Sequence, residues 1–256
     1  MISTAYPLPF TFDVAVDNPW DGRHSVDLLV RCVSPVDASR ATALAAFLQP
    51  FWLLASAGGL AGIAVEPWVS QPVKPATAVM PDAVRFSFAP VLFDERATSC
   101  VLALLLAAHD EIALRAVRLA PAGTRVRSIA FDPKLENPYP GIWPKLPFPY
   151  EIEDSESETR VLRVQFASTL DSARASTAEG LLRAWGHAAE WGAFGLAPVP
   201  PRSSACLSSE PIEHYEAELT WAIEKCRFHS AALDSLVSVC ATVHESVARI
   251  AELTVE

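Results

Sequence analysis

Histidine is the side chain in this sequence with the best claim to chemistry. It titrates near neutral pH and serves as general acid, general base or metal ligand. The chain has six histidines. None lies in an H-E-x-x-H motif, and no two stand at the i, i+4 spacing that sets two ligands on one helix face. His109 is followed by Asp110 and His244 by Glu245, which makes them a matched pair 135 residues apart. Each falls at the end of an apolar run, where a helix dipole favours an imidazolium, so a structural role precedes a catalytic one. His187 sits in Ala184-Trp185-Gly186-His187-Ala188-Ala189-Glu190-Trp191. There Trp185, Ala188 and Trp191 repeat at helical spacing and read as core. His187 and Glu190 are three apart, close enough to meet on another face as an acid–base pair.

Other chemistry finds little support. The run Ala57-Gly58-Gly59-Leu60-Ala61-Gly62 lacks the Lys-Ser or Lys-Thr of a phosphate loop and does not fit G-x-G-x-x-G. It reads as a helix C-terminus. No G-x-S-x-G is present. The five cysteines are odd in number and widely spaced, with no C-x-x-C pair. They read as reduced thiols of a cytoplasmic protein. No cofactor or metal is implied. The net charge of −10 disfavours nucleic acid, and the N-terminus has no basic region leading into an apolar one, so no secretion signal is expected.

The elements that must position these residues come from a repeat. Ser34-x-x-Asp37-x-x-Arg40-Ala41 returns 134 residues on as Ser168-x-x-Asp171-x-x-Arg174-Ala175. Leu28 and Val30 match Leu162 and Val164 at the same offset. Ser34 and Ser168 are the expected N-caps, with Asp37 and Asp171 at the third helical position. Before the repeat, Phe10, Phe12, Val14 and Val16 alternate with polar residues as an N-terminal strand. A second strand follows over 25–33. Val84, Phe86 and Phe88 alternate in the first copy, and Tyr215, Ala217, Leu219, Trp221 and Ile223 alternate in the second as one continuous strand. Helices are expected over 95–109 and 230–245, and closing strands over 114–119 and 249–255. The strand after each first helix is weakest; Ile63–Val69 is the choice in the first copy.

Each copy therefore reads strand–helix–strand–strand–helix–strand, the split βαβ or ferredoxin-like order. The expected fold is α+β: tandem duplicated ferredoxin-like units over 1–120 and 158–256, with an extra N-terminal strand in the first. A Pro/aromatic-rich connector over 121–157 joins them. It carries Trp143 in Asn137-Pro138-Tyr139-Pro140-Gly141-Ile142-Trp143-Pro144 and the acids Glu151, Glu153 and Asp154. Ala41 to Val65 is uncharged and long enough to span a bilayer. Pro50, the glycines and the charged counterpart in the second copy argue instead for a helix buried between the copies or in a homodimer, with no membrane span.

Two functional readings follow. In the first, the chain is a non-enzymatic cytoplasmic binding protein, concretely an inhibitor or immunity protein. Its partner is a basic protein met through Glu216, Glu218, Glu224, Glu151, Glu153 and Asp154. In the second, it is a small-molecule enzyme or sensor with its site between the copies, built from His109, His187, His244, Trp185 and Trp143.

Overall fold

A computed structural model of the 256-residue chain describes residues 8–14, 23–56, 74–92, 95–121, 146–153, 159–190, 211–224 and 230–256. The architecture is mixed α+β, with two five-stranded sheets and five helices among these residues. The first half contains β1 (Thr11–Val14), β2 (Arg23–Cys32), α1 (Ala38–Phe47), α2 (Gln49–Ser56), β3 (Ala76–Met80), β4 (Ala83–Leu92), α3 (Glu95–Glu111) and β5 (Leu114–Pro121). The second contains β6 (Tyr150–Ile152), β7 (Arg160–Phe166), α4 (Ser172–Glu190), β8 (Glu213–Tyr215), β9 (Glu218–Ile223), α5 (Ser230–Ser246) and β10 (Ile250–Val255).

The two sheets have corresponding orders, β1-β5-β2-β4-β3 and β6-β10-β7-β9-β8. In each, the first strand pairs parallel with the last and every other pairing is antiparallel. The central strands follow from period-2 patterning. Val26, Leu28 and Val30 of β2 and Leu162, Val164 and Phe166 of β7 point inward and are buried, while Arg163 points to solvent. The buried residues of both halves form one continuous apolar cluster. It closes where α2 packs on α4 and α4 packs on α5.

Matching backbone contacts fix both halves. Asp37 Oδ1 accepts from the Arg40 backbone N–H at 2.8 Å, and Asp171 Oδ1 from that of Arg174 at 2.8 Å. The caps are therefore the aspartates and not Ser34 and Ser168, which corrects the sequence expectation. The helices start three residues later, and a short carboxylate at the N-cap reaches the N3 amide directly. The β3–β4 turn gives the carbonyls of Pro81 and Asp82 to the N–H groups of Val36 and Cys32. The β8–β9 turn gives those of Glu216 and Ala217 to Leu170 and Phe166.

Other expectations change as well. The uncharged run starting at Ala41 is two helices, with Leu48 as the C-cap of α1. Pro50 supplies no backbone N–H for a continuous helix. The apolar face of α2, with Phe51, Trp52 and Leu54 buried, is occupied by α4 within the same chain. No helix among the described residues is long and apolar enough to cross a membrane. The glycine run 57–62 and the strand expected over 63–69 lie outside the described residues. The strand that pairs with β4 is β3. The single strand expected over 215–223 is a hairpin. Glu216 and Ala217 form its turn, with Glu216 at φ 46. The period-2 pattern continues across this turn, and Glu-Ala lacks the Gly or Asn that advertises a tight hairpin. The end of the expected connector also has structure: Tyr150–Ile152 is strand β6, paired with β10.

Candidate functional site

His109 and His244 do the same local job in the two halves. Nδ1 of His109 accepts from the Leu114 backbone N–H at 3.0 Å, and Nδ1 of His244 from that of Ile250 at 2.9 Å. Each imidazole ties the end of a helix to the first residue of the next strand. As acceptors at Nδ1, both rings take the tautomer with the proton on Nε2. His109 also lies 5.6 Å from the Phe10 ring, and His244 lies 5.2 Å from Phe148. Phe10 immediately precedes the parallel outer strand β1, and Phe148 lies two residues before its counterpart β6. The histidines thus join three elements at one corner of each sheet, and their placement is structural.

Trp185 is fully buried and donates its indole N–H to Ser235 Oγ at 2.7 Å. It meets Trp221 edge to face, with centroids 6.0 Å apart, and so belongs to the core. One turn away the surface of α4 is different. Arg183 binds Glu179 Oε1 through Nε at 2.8 Å. The Nδ1 of the exposed His187 stands 3.8 Å from Glu190 Oε2, too long for a hydrogen bond. Arg183 and His187 rim a groove of about 480 Å³ between α4 and the α1–α2 corner. Its lining comprises Ala46, Phe47, Gln49, Pro50, Leu53, Gly180, Arg183, Ala184 and His187. Of the five residues expected at a site between the halves, the groove contains His187. His109, His244 and Trp185 lie elsewhere, and Trp143 lies outside the described residues.

The acids fall into a different pattern from the expected Glu216–Glu218–Glu224 stripe. Strand register places two rows across the second sheet, because Cα partners share a face. One row runs Glu252, Gln165, Glu218 and Tyr215. The next runs Glu151, Thr254, Arg163, Thr220 and Glu213 across all five strands. Glu256 lies beside Val161 at the sheet's end and contacts Arg163 at 3.5 Å. This face is opposite the buried Leu162, Val164 and Phe166 and is open to solvent. Glu218 accepts from the Thr220 hydroxyl at 2.8 Å. Tyr215, 61% exposed, donates to Glu213 Oε2 at 3.2 Å. That hydrogen bond and the neighbouring charge push its phenol above the usual range.

Glu224 is exposed at the end of β9, Glu216 is in the turn, and Glu153 follows β6. Asp154 lies outside the described residues. Glu213, Glu252 and Glu256 were not singled out from the sequence. They reach this face only through the register of β8 and β10, which one strand's pattern does not contain.

The three described cysteines, Cys32, Cys100 and Cys240, are free and buried. Burial raises all three thiol pKa values, that of Cys240 to about 12, so none is an activated nucleophile. No cluster of metal-ligating side chains occurs among the described residues.

No family model matches the chain, and no curated protein matches it. Among solved structures it has similarity to a Cas6 (TTHB231) product complex at 13% identity. That match covers 90% of this chain and 99% of the other, with a TM-score of 0.20. It also has similarity to a predicted insulinase family protease from Yersinia pestis at 10% identity, covering 84% of this chain and 65% of the other, again with a TM-score of 0.20. Likeness at that level carries no argument about fold or activity.

Proposed function

We propose that the chain is a non-enzymatic cytoplasmic binding protein made of two ferredoxin-like units in tandem, which docks a basic protein partner on the open face of its second sheet. The tandem reading is supported by the corresponding strand orders, the two aspartate caps, the two histidine corners and the two turns that receive hydrogen bonds from matching residues. The observation that carries the docking reading is the pair of rows containing Glu252, Glu218, Glu151 and Glu213, with Arg163 the base among them. A concentration of negative charge on one sheet face accelerates encounter with a cationic surface. An inhibitor or immunity protein fits this description.

The test is native mass spectrometry of the protein recovered gently from its host, followed by binding kinetics with any stoichiometric partner. Reversing Glu218 and Glu252 to lysine is expected to slow association about tenfold at low salt. Unchanged kinetics would refute the docking face.

The groove beside His187 favours a second reading, a small-molecule sensor or enzyme, because its volume is in the range of ligand sites. A small bound mass lost in His187→Ala would select it. A bound mass indifferent to that change would reject the groove.

A further inference from the structure

The groove between α4 and the α1–α2 corner has two walls that correspond position by position. Ala46, Gln49, Pro50 and Leu53 line the first wall at the i, i+3, i+4, i+7 spacing of one helix face. Helical hydrogen bonds run on through the break between α1 and α2, from the Leu48 N–H to Leu44 and from the Trp52 N–H to Leu48, so the four residues keep to one side. The Ser-x-x-Asp-x-x-Arg-Ala repeat has an offset of 134 residues, and at that offset the same four positions are Gly180, Arg183, Ala184 and His187. These line the second wall. Equivalent helix faces of the two halves thus meet across the groove, and the buried Pro50 and Ala184 form its floor.

The walls match in position and differ in chemistry. The first is apolar apart from the Gln49 amide, and Phe47 extends it. The second carries Arg183 and His187, the two ionisable groups among the described lining residues. Both are nitrogen donors, in a chain with 30 acids against 20 bases. Their acidic neighbours are not among those lining residues. Glu179 Oε1 holds Arg183 through Nε and Nη2, both at 2.8 Å, which fixes the guanidinium and leaves Nη1 uncommitted among the described residues. Glu190 stands 3.8 Å from His187 Nδ1, on the opposite nitrogen from Nε2. Between the walls, a Cβ on Gly180 would meet nothing within 4 Å, whereas the first wall has the Ala46 methyl at the same position.

We infer that the groove binds a small carboxylic acid, with its carboxylate on Arg183 and His187 and its apolar body against Phe47, Pro50 and Leu53. This rests on the reading of the groove as a small-molecule site and names the class of ligand. Donors one helical turn apart are neighbours on the helix surface, and the two oxygens of a carboxylate can accept from both. A cationic ligand would face two bases. A wholly apolar ligand would cover Arg183 Nη1 and give it no acceptor, which costs more than the contact returns. The missing side chain at Gly180 leaves room for the apolar body between the two walls.

Ligand-observed NMR titrations of the full chain test this with octanoate and phenylacetate, each set against the primary amide and the amine of the same skeleton. The wild type is expected to bind both carboxylates about tenfold more tightly than the amides, the scale of one charge-assisted hydrogen bond. Gly180→Leu fills open space at an exposed helix position and should abolish binding. Arg183→Gln, made together with Glu179→Gln so that no carboxylate loses its partner, gives the second wall the amide of the first. It should bind carboxylate and amide alike. Equal affinities in the wild type, both lost in Gly180→Leu, would overturn the inference and leave the groove a site for neutral molecules. Tighter binding of the amines, or a carboxylate preference that survives Arg183→Gln, would overturn it too. No saturable binding of either carboxylate, or binding indifferent to Gly180→Leu, would reject both the inference and the small-molecule reading beneath it.

Discussion

The open faces of the two sheets differ where their backbones correspond. Across the first sheet one row runs Asp13, Arg118, Leu29, Arg85 and Ala78, with Arg31 on the same face of β2. Across the second, the rows contain four glutamates and one arginine. Strand order, helix caps and histidine corners are shared, whereas surface charge is not. Packing and backbone hydrogen bonds constrain the inner positions, because a core tolerates little change in volume and a buried amide needs its acceptor. Solvent-facing strand positions carry no such constraint. The difference in charge between the faces is therefore where the two halves are free to serve different ends.

The severest way to break the parallel is through its paired aromatics. Phe51 of α2 meets Phe88 of β4 edge to face with centroids 5.2 Å apart, and Trp185 of α4 meets Trp221 of β9 at 6.0 Å. Both Phe51 and Trp185 are fully buried. Trp185→Ala and Phe51→Ala should each cost about 3–5 kcal/mol in urea unfolding. Because one apolar cluster spans both sheets, either change should lower a single cooperative transition. Two separated transitions would show that the halves unfold independently and that the α2–α4 contact is weak.

The histidine corners come next. His109→Ala leaves the Leu114 amide without its acceptor, and His244→Ala does the same to Ile250. Each should cost about 1–3 kcal/mol. The double variant should equal the sum of the singles within about 0.5 kcal/mol, as independent sites do. Coupling well beyond that would indicate that the two rings share a site.

These results also mark how far the sequence could be read. The offset between Ser34-x-x-Asp37 and Ser168-x-x-Asp171 located both first helices, and the alternation of Leu28 and Val30 against Leu162 and Val164 located both central strands. Caps and inward-facing residues are local or period-2 signals. The outer strands β3, β6 and β8 were missed or misplaced because they are short and mostly exposed, so they carry little apolar pattern. The glutamate rows escaped for another reason. Glu252 and Glu218 are adjacent across Gln165 only after β10, β7 and β9 come into register. A groove formed by α1, α2 and α4 is likewise a property of helix packing, and His187 alone pointed toward it.

Exchanging charge between the faces sharpens the comparison directly. Arg85→Glu with Arg118→Glu makes the first face acidic, and Glu218→Lys with Glu252→Lys makes the second basic. Folding stability should move by less than about 0.5 kcal/mol in either double variant, since the positions are on the surface. Association with a cationic partner should slow about tenfold in the glutamate variant and hold or quicken in the arginine variant. Equal effects from both would mean that total charge, and not the second face, governs encounter.

The smallest effect separates two glycines of one helix. A Cβ on Gly186 would stand 2.5 Å from Cη2 of the buried Trp221, so that position must stay small for α4 to lie close to β9. A Cβ on Gly180 would meet nothing within 4 Å, since that residue faces the groove. Glycine inside a helix costs about 0.5–1 kcal/mol relative to alanine, because its unfolded backbone is freer. Gly180→Ala should therefore raise the unfolding free energy by an amount in that range, read as a higher urea midpoint at unchanged slope, whereas Gly186→Ala should lower it. If Gly180→Ala stabilises the protein and also displaces a small molecule that binds the wild type, the groove is a ligand site that depends on its missing methyl group. If it stabilises the protein and partner association is unaffected, the groove is separate from docking and the second sheet retains that role.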